Sequence, residues 1–216
     1  IYENIGDYQE GLFLVEDSLH YGFADSTGKI IIPITFEKNR FVDLTKGFVN
    51  GLARGYKGGK VGLIDKKGKF VIPYDFEEID PESGEPDLFI VKKNGRYGVI
   101  DRKAKVLIPI QYESFSKFTD GKASVSKEEG EECGVISKTK KVIIPFLYDD
   151  IISNATGSIY VVELEEKFGI FRADGSKLLD PIYDEIGAGT EYIPLEKNKK
   201  ISWYSISTAK IIWTEE

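Results

Sequence analysis

The chain is poor in the residues that usually carry chemistry. Its 216 residues include one cysteine, one histidine, two tryptophans and no methionine. A single thiol excludes an internal disulfide. Cys133 stands where parallel segments carry Tyr, Val or Phe, so it reads as a small buried apolar residue. His20 has no motif around it that would supply an oriented carboxylate and a nucleophile, as His-based catalysis requires. No apolar run approaches the ~18 residues of a membrane-spanning helix, and no signal peptide is visible. Because the chain starts at Ile1 and has no methionine, removal of an upstream segment is one expectation, with the compartment left open.

Basic residues are also in deficit, 29 against 36 acids, for a net charge of -7. That balance disfavours nucleic acid and anionic membrane surfaces as partners. It is equally an ordinary solubility charge. A chain of this length buries roughly 70% of its unfolded surface. It therefore needs no metal or disulfide to fold, and no cofactor is expected.

What the chain has is repetition. An aromatic and an acid, then an x-Gly strand, a turn and an apolar triplet usually closed by Pro recur in six copies, the last of them degenerate, as in YGFADSTGKIIIP and YGVIDRKAKVLIP. The register residues are Gly22, Gly62, Gly98, Gly134, Gly169 and, in a degenerate sixth copy, Trp203. Successive steps are 40, 36, 36, 35 and 34 residues. A period of this length marks a solenoid or propeller, whose unit cannot bury its own apolar surface alone. We expect one domain over residues 1–216, with units of about 2–35, 36–75, 76–111, 112–147, 148–182 and 183–213.

Each unit reads as four short strands: A (GLFLVE), B (the x-Gly segment), C (the apolar triplet, ended by Pro) and D (starting at the aromatic–acid pair). No 3.6-residue period is sustained, so the class is all-β. Asp opens and Gly closes the B–C turn, which suits a hairpin with a residue at positive φ. Lys140, at one of these Gly positions, suggests a strained or altered turn. Strand C is apolar on both faces, as in Ile30-Ile31-Ile32, which implies that both faces of each sheet are covered. Twisted four-stranded sheets stacked face to face make a propeller. The N-terminal strand near Tyr2–Ile5 would then complete the last sheet and close the ring. The alternative is an open β-repeat stack with the sixth copy as a cap.

The pattern F-x-x-G-x-A-x-V followed by K-x-G-x-I-D-x-x-G-K-x-V-I-P resembles the WG (KWG) β-repeat family of bacterial proteins. FTDGKASV at Phe118–Val125 and KVGLIDKKGKFVIP at Lys60–Pro73 carry it most plainly. The namesake Trp is replaced by Tyr21, Val61, Tyr97, Cys133 and Phe168. The resemblance implies a bacterial origin and an interaction or surface-associated module, with export among the options, and it carries over no catalytic residue.

Six acids follow the repeat aromatics: Glu3, Glu37, Glu77, Glu113, Asp149 and Asp184. They are either a binding row for a cation or polar ligand, or partners for the bases His20, Lys60, Arg96, Lys167 and Lys200 in recurring ion pairs. Asp25, Asp65 and Asp101 read as turn residues, and no metal site is assigned. The repeat aromatics Phe36, Phe76, Tyr112, Tyr148 and Tyr183 read as core, with sugar stacking as the alternative.

Chemistry needs unequal roles, so the segments that break the repeat are where function is expected. They are Phe41–Asn50, Asp80–Asp87 (DPESGEPD) and Glu128–Glu132. Asn154-Ala155-Thr156 matches a glycosylation sequon, idle in a bacterium. The leading expectation is a noncatalytic scaffold binding a protein or surface glycan through loops or a ring face. The alternative is a propeller hydrolase using a carboxylate pair.

Overall fold

The computed structural model describes residues 2–38, 47–128, 132–154 and 157–215. All regular structure among them is β. The strands form antiparallel meanders. The first sheet contains β1 (Asn4–Gln9), β2 (Leu12–Glu16), β3 (His20–Ala24) and β4 (Ile30–Glu37). The second shows β5 (Leu52–Lys57), β6 (Lys60–Asp65) and β7 (Phe70–Phe76). The third contains β8 (Glu78–Asp80), β9 (Leu88–Lys93), β10 (Arg96–Asp101) and β11 (Val106–Tyr112). The fourth contains β12 (Ser114–Phe115), β13 (Lys122–Ser126), β14 (Cys133–Ser137) and β15 (Val142–Tyr148). The fifth contains β16 (Asp150–Ser153), β17 (Ile159–Leu164), β18 (Lys167–Arg172) and β19 (Lys177–Tyr183). The sixth contains β20 (Glu185–Ile186), β21 (Tyr192–Lys197), β22 (Lys200–Ser205) and β23 (Lys210–Thr214).

These are propeller-type blades, as the repeat predicts, but each of the five sheets described with four strands takes its leading strand from the segment just before it. The N-terminal strand does not complete the last sheet. Asn4 pairs with Glu16 and Gln9 with Leu12 through a turn at Glu10 and Gly11, both at positive φ. A two-residue hairpin costs little loop entropy, so the local pairing prevails over a distant one. The sixth sheet is complete without it.

Proline does not end strand C. Pro33, Pro73, Pro109 and Pro145 lie inside β4, β7, β11 and β15, at exposed positions. Tyr21 pairs with Phe36 and Phe23 with Ile32, so three residues of β4 bulge opposite Gly22. The same jump faces Gly62, Gly134 and Gly169. Strand C is the last strand of its sheet, and proline is tolerated at such edges and bulges. The bulge also explains the glycine. A β-carbon on Gly22 would stand 2.5 Å from the Ile32 oxygen, and one on Gly98 would stand 2.8 Å from that of Ile108.

The apolar triplet is not buried throughout. Its third residue, Ile32, Ile72, Ile108 or Ile144, is core, whereas Ile30, Ile31, Val106 and Val142 are exposed. An edge strand has cover on its inner side only. The B–C turns keep one geometry despite the changes of residue: φ is 83° at Gly28, 77° at Gly68, 62° at Ala104 and 69° at Lys140.

The chain divides into two compact units, Ile1–Ile110 and Gln111–Glu216. In the first, Tyr21, Leu63 and Ile100 from three successive sheets share one core. The Tyr21 hydroxyl donates to the Arg54 carbonyl at 2.8 Å, and Arg54 Nε donates to the Ile79 carbonyl at 2.9 Å, linking sheet to sheet. In the second, Val135 and Tyr148 pack with Tyr160 and Phe171, and Ile159 and Ile170 pack with Ile193 and Tyr204. Each such residue contributes roughly 1.5–3 kcal/mol by leaving water. The repeat aromatics Phe36, Phe76, Tyr112, Tyr148 and Tyr183 are all buried. No helix among the described residues is long and apolar enough to cross a membrane.

Candidate functional site

The repeat acids are placed where strand C hands over to the next sheet, and four of them cap that sheet's A–B turn. These turns have two successive residues at positive φ, as at Gly58-Gly59, Asn94-Gly95, Glu165-Glu166 and Asn198-Lys199. That is the tight hairpin geometry which leaves amides pointing outward. Glu37 Oε2 accepts from the Gly58 amide at 2.8 Å. Glu77 accepts from Asn94 at 2.9 Å and from Gly95 at 3.0 Å. Asp149 Oδ2 accepts from Glu165 at 2.7 Å, and Asp184 Oδ2 from Asn198 at 2.6 Å. The backbone helps: the Glu3, Glu77, Glu113, Asp149 and Asp184 amides donate to carbonyls of the following A strand. The Glu3 side chain is exposed and that of Glu113 half-buried.

Two acids are also ion-paired as the sequence reading expected. Lys60 Nζ lies 3.3 Å from Glu77, and Lys167 Nζ lies 2.5 Å from Asp184. His20 instead stands 3.6 Å from Asp17. Hydrogen bonds from the Gly95 and Asn94 amides, with Lys60 beside them, hold the Glu77 carboxyl below its ordinary value. Lys167 and the Asn198 amide do the same for Asp184. Asp25, Asp65 and Asp101 each accept two amide bonds within their own turn. No group of three or more metal-ligating side chains occurs among the described residues.

A cleft lies at the other end of the third sheet. The irregular segment between β8 and β9 folds over Val49–Leu52 and encloses about 340 Å³. Pro81, Pro86, Phe89 and Leu52 give it apolar walls, while Glu82, Glu85, Asp87 and Arg102 give it charge. Asp101 pairs with Leu88, which brings the β10–β11 turn beside this segment. Arg102 on that turn donates to Asp87 at 2.8 Å and to the Asn50 carbonyl at 3.4 Å. Ser83 anchors the segment from inside. It is fully buried, and its hydroxyl donates to the Leu88 carbonyl at 2.6 Å. Two prolines and these two anchors give the loop a defined shape.

Asp80–Asp87 thus breaks the repeat, as its sequence indicates, and it is anchored at Ser83 and Asp87. Of its partners, Asn50 ends the Phe41–Asn50 segment that also breaks the repeat, whereas Arg102 lies in a regular repeat turn and has no such signal in the sequence. Positions 41–46 of the Phe41–Asn50 segment, 129–131 of the acidic tip and 155–156 of the sequon fall outside the described residues. Cys133 is half-buried, and burial pushes its thiol up, which makes it a poor nucleophile.

Among solved structures, a crystal structure of a eukaryotic initiation factor matches with a TM-score of 0.51 at 12% identity, covering 100% of this chain and 63% of that one. The chain thus spans less than two thirds of that protein. Hsv2p of Kluyveromyces lactis gives 0.47 at 9% identity, covering 94% and 75% of the two chains. The AfRom2 CNH domain gives 0.41 at 11%, covering 99% and 84%. At such identities the first of these likenesses speaks to the fold alone. No curated protein matches the chain in sequence. The family model of the WG containing repeat matches residues 21–60, 62–97, 97–130 and 134–168, which is well over half the chain. The chain belongs to the WG containing repeat family.

Proposed function

We propose that the chain is a noncatalytic binding scaffold whose six repeats act as one domain. Its partner is a protein or a surface glycan, and recognition falls on the cleft walled by residues 81–87, Asn50 and Arg102. One observation carries this reading: the cleft lies where the repeat is broken, and the breaking segment is held in shape by a buried serine and an arginine. Rigid elements that present a shaped loop are the usual means of recognition in repeat scaffolds. A mixture of proline, phenylalanine and paired charges offers both apolar contact and oriented polar groups. Within the acid row, Glu37, Glu77, Asp149 and Asp184 are assigned to capping and to joining successive sheets, because these four carboxylates already face turn amides.

The test is capture of proteins and glycans by the wild-type chain and by a variant whose residues 81–86 are replaced with an Asn-Gly turn. The melting temperature of both is recorded to confirm folding. A partner held by the wild type and lost by the folded variant is the expected result. Equal capture by both, or no partner for either, overturns the proposal.

A further inference from the structure

The cleft at the third sheet is unbalanced in charge. Three carboxylates line it, those of Glu82, Glu85 and Asp87, against the one guanidinium of Arg102, so its lining has two negative charges in excess. Asp87 and Arg102 offset each other at 2.8 Å. The excess therefore resides on Glu82 and Glu85, both half-buried. The backbone of each is fixed from below. Asp80 Oδ1 accepts from the Glu82 amide at 2.9 Å, and Asp80 itself stands 3.7 Å from the Arg54 guanidinium. The buried Ser83 hydroxyl accepts from the Glu85 amide at 3.4 Å. The two glutamates are thus carried on a segment shaped before any partner arrives, which lowers the ordering cost of binding.

The walls and the acids together select the occupant. No three metal-ligating side chains come together among the described residues, so these carboxylates are not gathered around an ion. A guanidinium is a broader cation, planar and with several donors, and it can bond to more than one carboxylate oxygen. It sits at the end of an aliphatic stem, and such side chains lie along apolar surface with the charged head at a polar rim. Leu52, Pro81 and Phe89 provide that apolar surface. A neutral sugar would gain nothing from the excess charge. Phe89 is the one aromatic residue in the lining and is only 3% exposed, so no ring face is open for a sugar to stack on.

We infer that the cleft receives an arginine side chain presented by a protein partner. This rests on the reading of the cleft as the binding site, and it selects protein over glycan. The arginine stem lies against Leu52 and Pro81, and its guanidinium meets Glu82 and Glu85. Asp87 stays with Arg102 and keeps the wall in place. Arginine is among the residues that dominate binding at protein interfaces, because one side chain supplies both apolar contact and oriented hydrogen bonds.

Titration followed by the amide NMR spectrum tests this, with N-acetylarginine amide, N-acetylglutamine amide and chitotriose as probes. The proteins are wild type and the double variant Glu82→Gln with Glu85→Gln, whose melting temperature checks its fold. The arginine probe is expected to shift the amides of residues 82–85 in wild type and to bind the variant roughly tenfold more weakly. The glutamine and chitotriose probes should leave those amides in place. No shift with the arginine probe, equal binding by the variant, or a shift with chitotriose overturns the inference. Partner capture separates this from the broader reading. A partner lost on replacement of residues 81–86 but held equally by the double variant keeps the cleft as the binding site and overturns the arginine assignment alone. Equal capture after that replacement overturns the broader reading itself.

Discussion

Gly62 stands against Ile72 so closely that its Cα has room for hydrogen alone. A β-carbon there would overlap the Ile72 carbonyl oxygen and stand 2.8 Å from the Pro73 carbonyl carbon. The obstacle is backbone, which cannot swing aside as a side chain can. Gly62→Ala should therefore cost about 1–3 kcal/mol or more by forcing the bulge open. Its φ lies outside the left-handed region, so backbone preference adds little. Urea denaturation checks this, with Gly51→Ala as a contrast whose β-carbon meets nothing but whose φ of 77° is left-handed.

The acid caps predict a pH dependence of stability. Glu77 and Asp184 have carboxyls held below their ordinary values of 4.5 and 3.8 in the folded chain. A depressed folded value means that the unfolded chain binds protons more readily as pH falls. Their stabilisation is therefore complete above the ordinary values and is lost as pH drops through the lower folded ones. Glu77→Gln with Asp184→Asn should lower the melting temperature at pH 7 and flatten its decline below pH ~5. A thermal-melt series in pH reads both effects.

Lys140 offers a change in the other direction. It holds φ of 69° in a turn where Gly28 and Gly68 hold the same conformation freely. An L-residue bears roughly 1–2 kcal/mol in the left-handed region. Lys140→Gly should stabilise the chain by about 1 kcal/mol after the greater entropy of unfolded glycine is subtracted. Chemical denaturation measures the gain.

Ser83 ties the cleft to the fold. Its removal as Ser83→Ala leaves the Leu88 carbonyl without this donor in a buried place. That should cost about 1–3 kcal/mol. Amide exchange should rise at residues 81–87 more than in β9, because the hydroxyl bond shapes the loop itself.

The sequence displays the repeat plainly because its signals are local. Gly62 and Pro73 are eleven residues apart, as are their counterparts in the first, third and fourth copies, and their contact falls within one sheet. It is less informative about which strand pairs with which. Asn4–Gln9 resembles a fourth strand seeking a last sheet, yet a two-residue turn returns it to Leu12–Glu16. Trp203 was matched with Gly169 by spacing, and only the ladder shows the one-residue shift. The acid row was visible as a pattern, but its acceptors serve backbone amides of the next sheet, which leave no side-chain signature. Segment 80–87 stood out as a break. Its closure by Arg102 and Asn50 depends on a turn and a strand brought together by folding.

The separation of roles between the cleft and the acid row is tested most directly by partner affinity in two variants. Arg102→Ala loosens the cleft, and Glu77→Gln with Asp184→Asn weakens the caps. The account predicts that Arg102→Ala loses affinity at nearly unchanged melting temperature, while the cap variant melts lower and binds as wild type does. Retained affinity in Arg102→Ala together with lost affinity in the folded cap variant would contradict it.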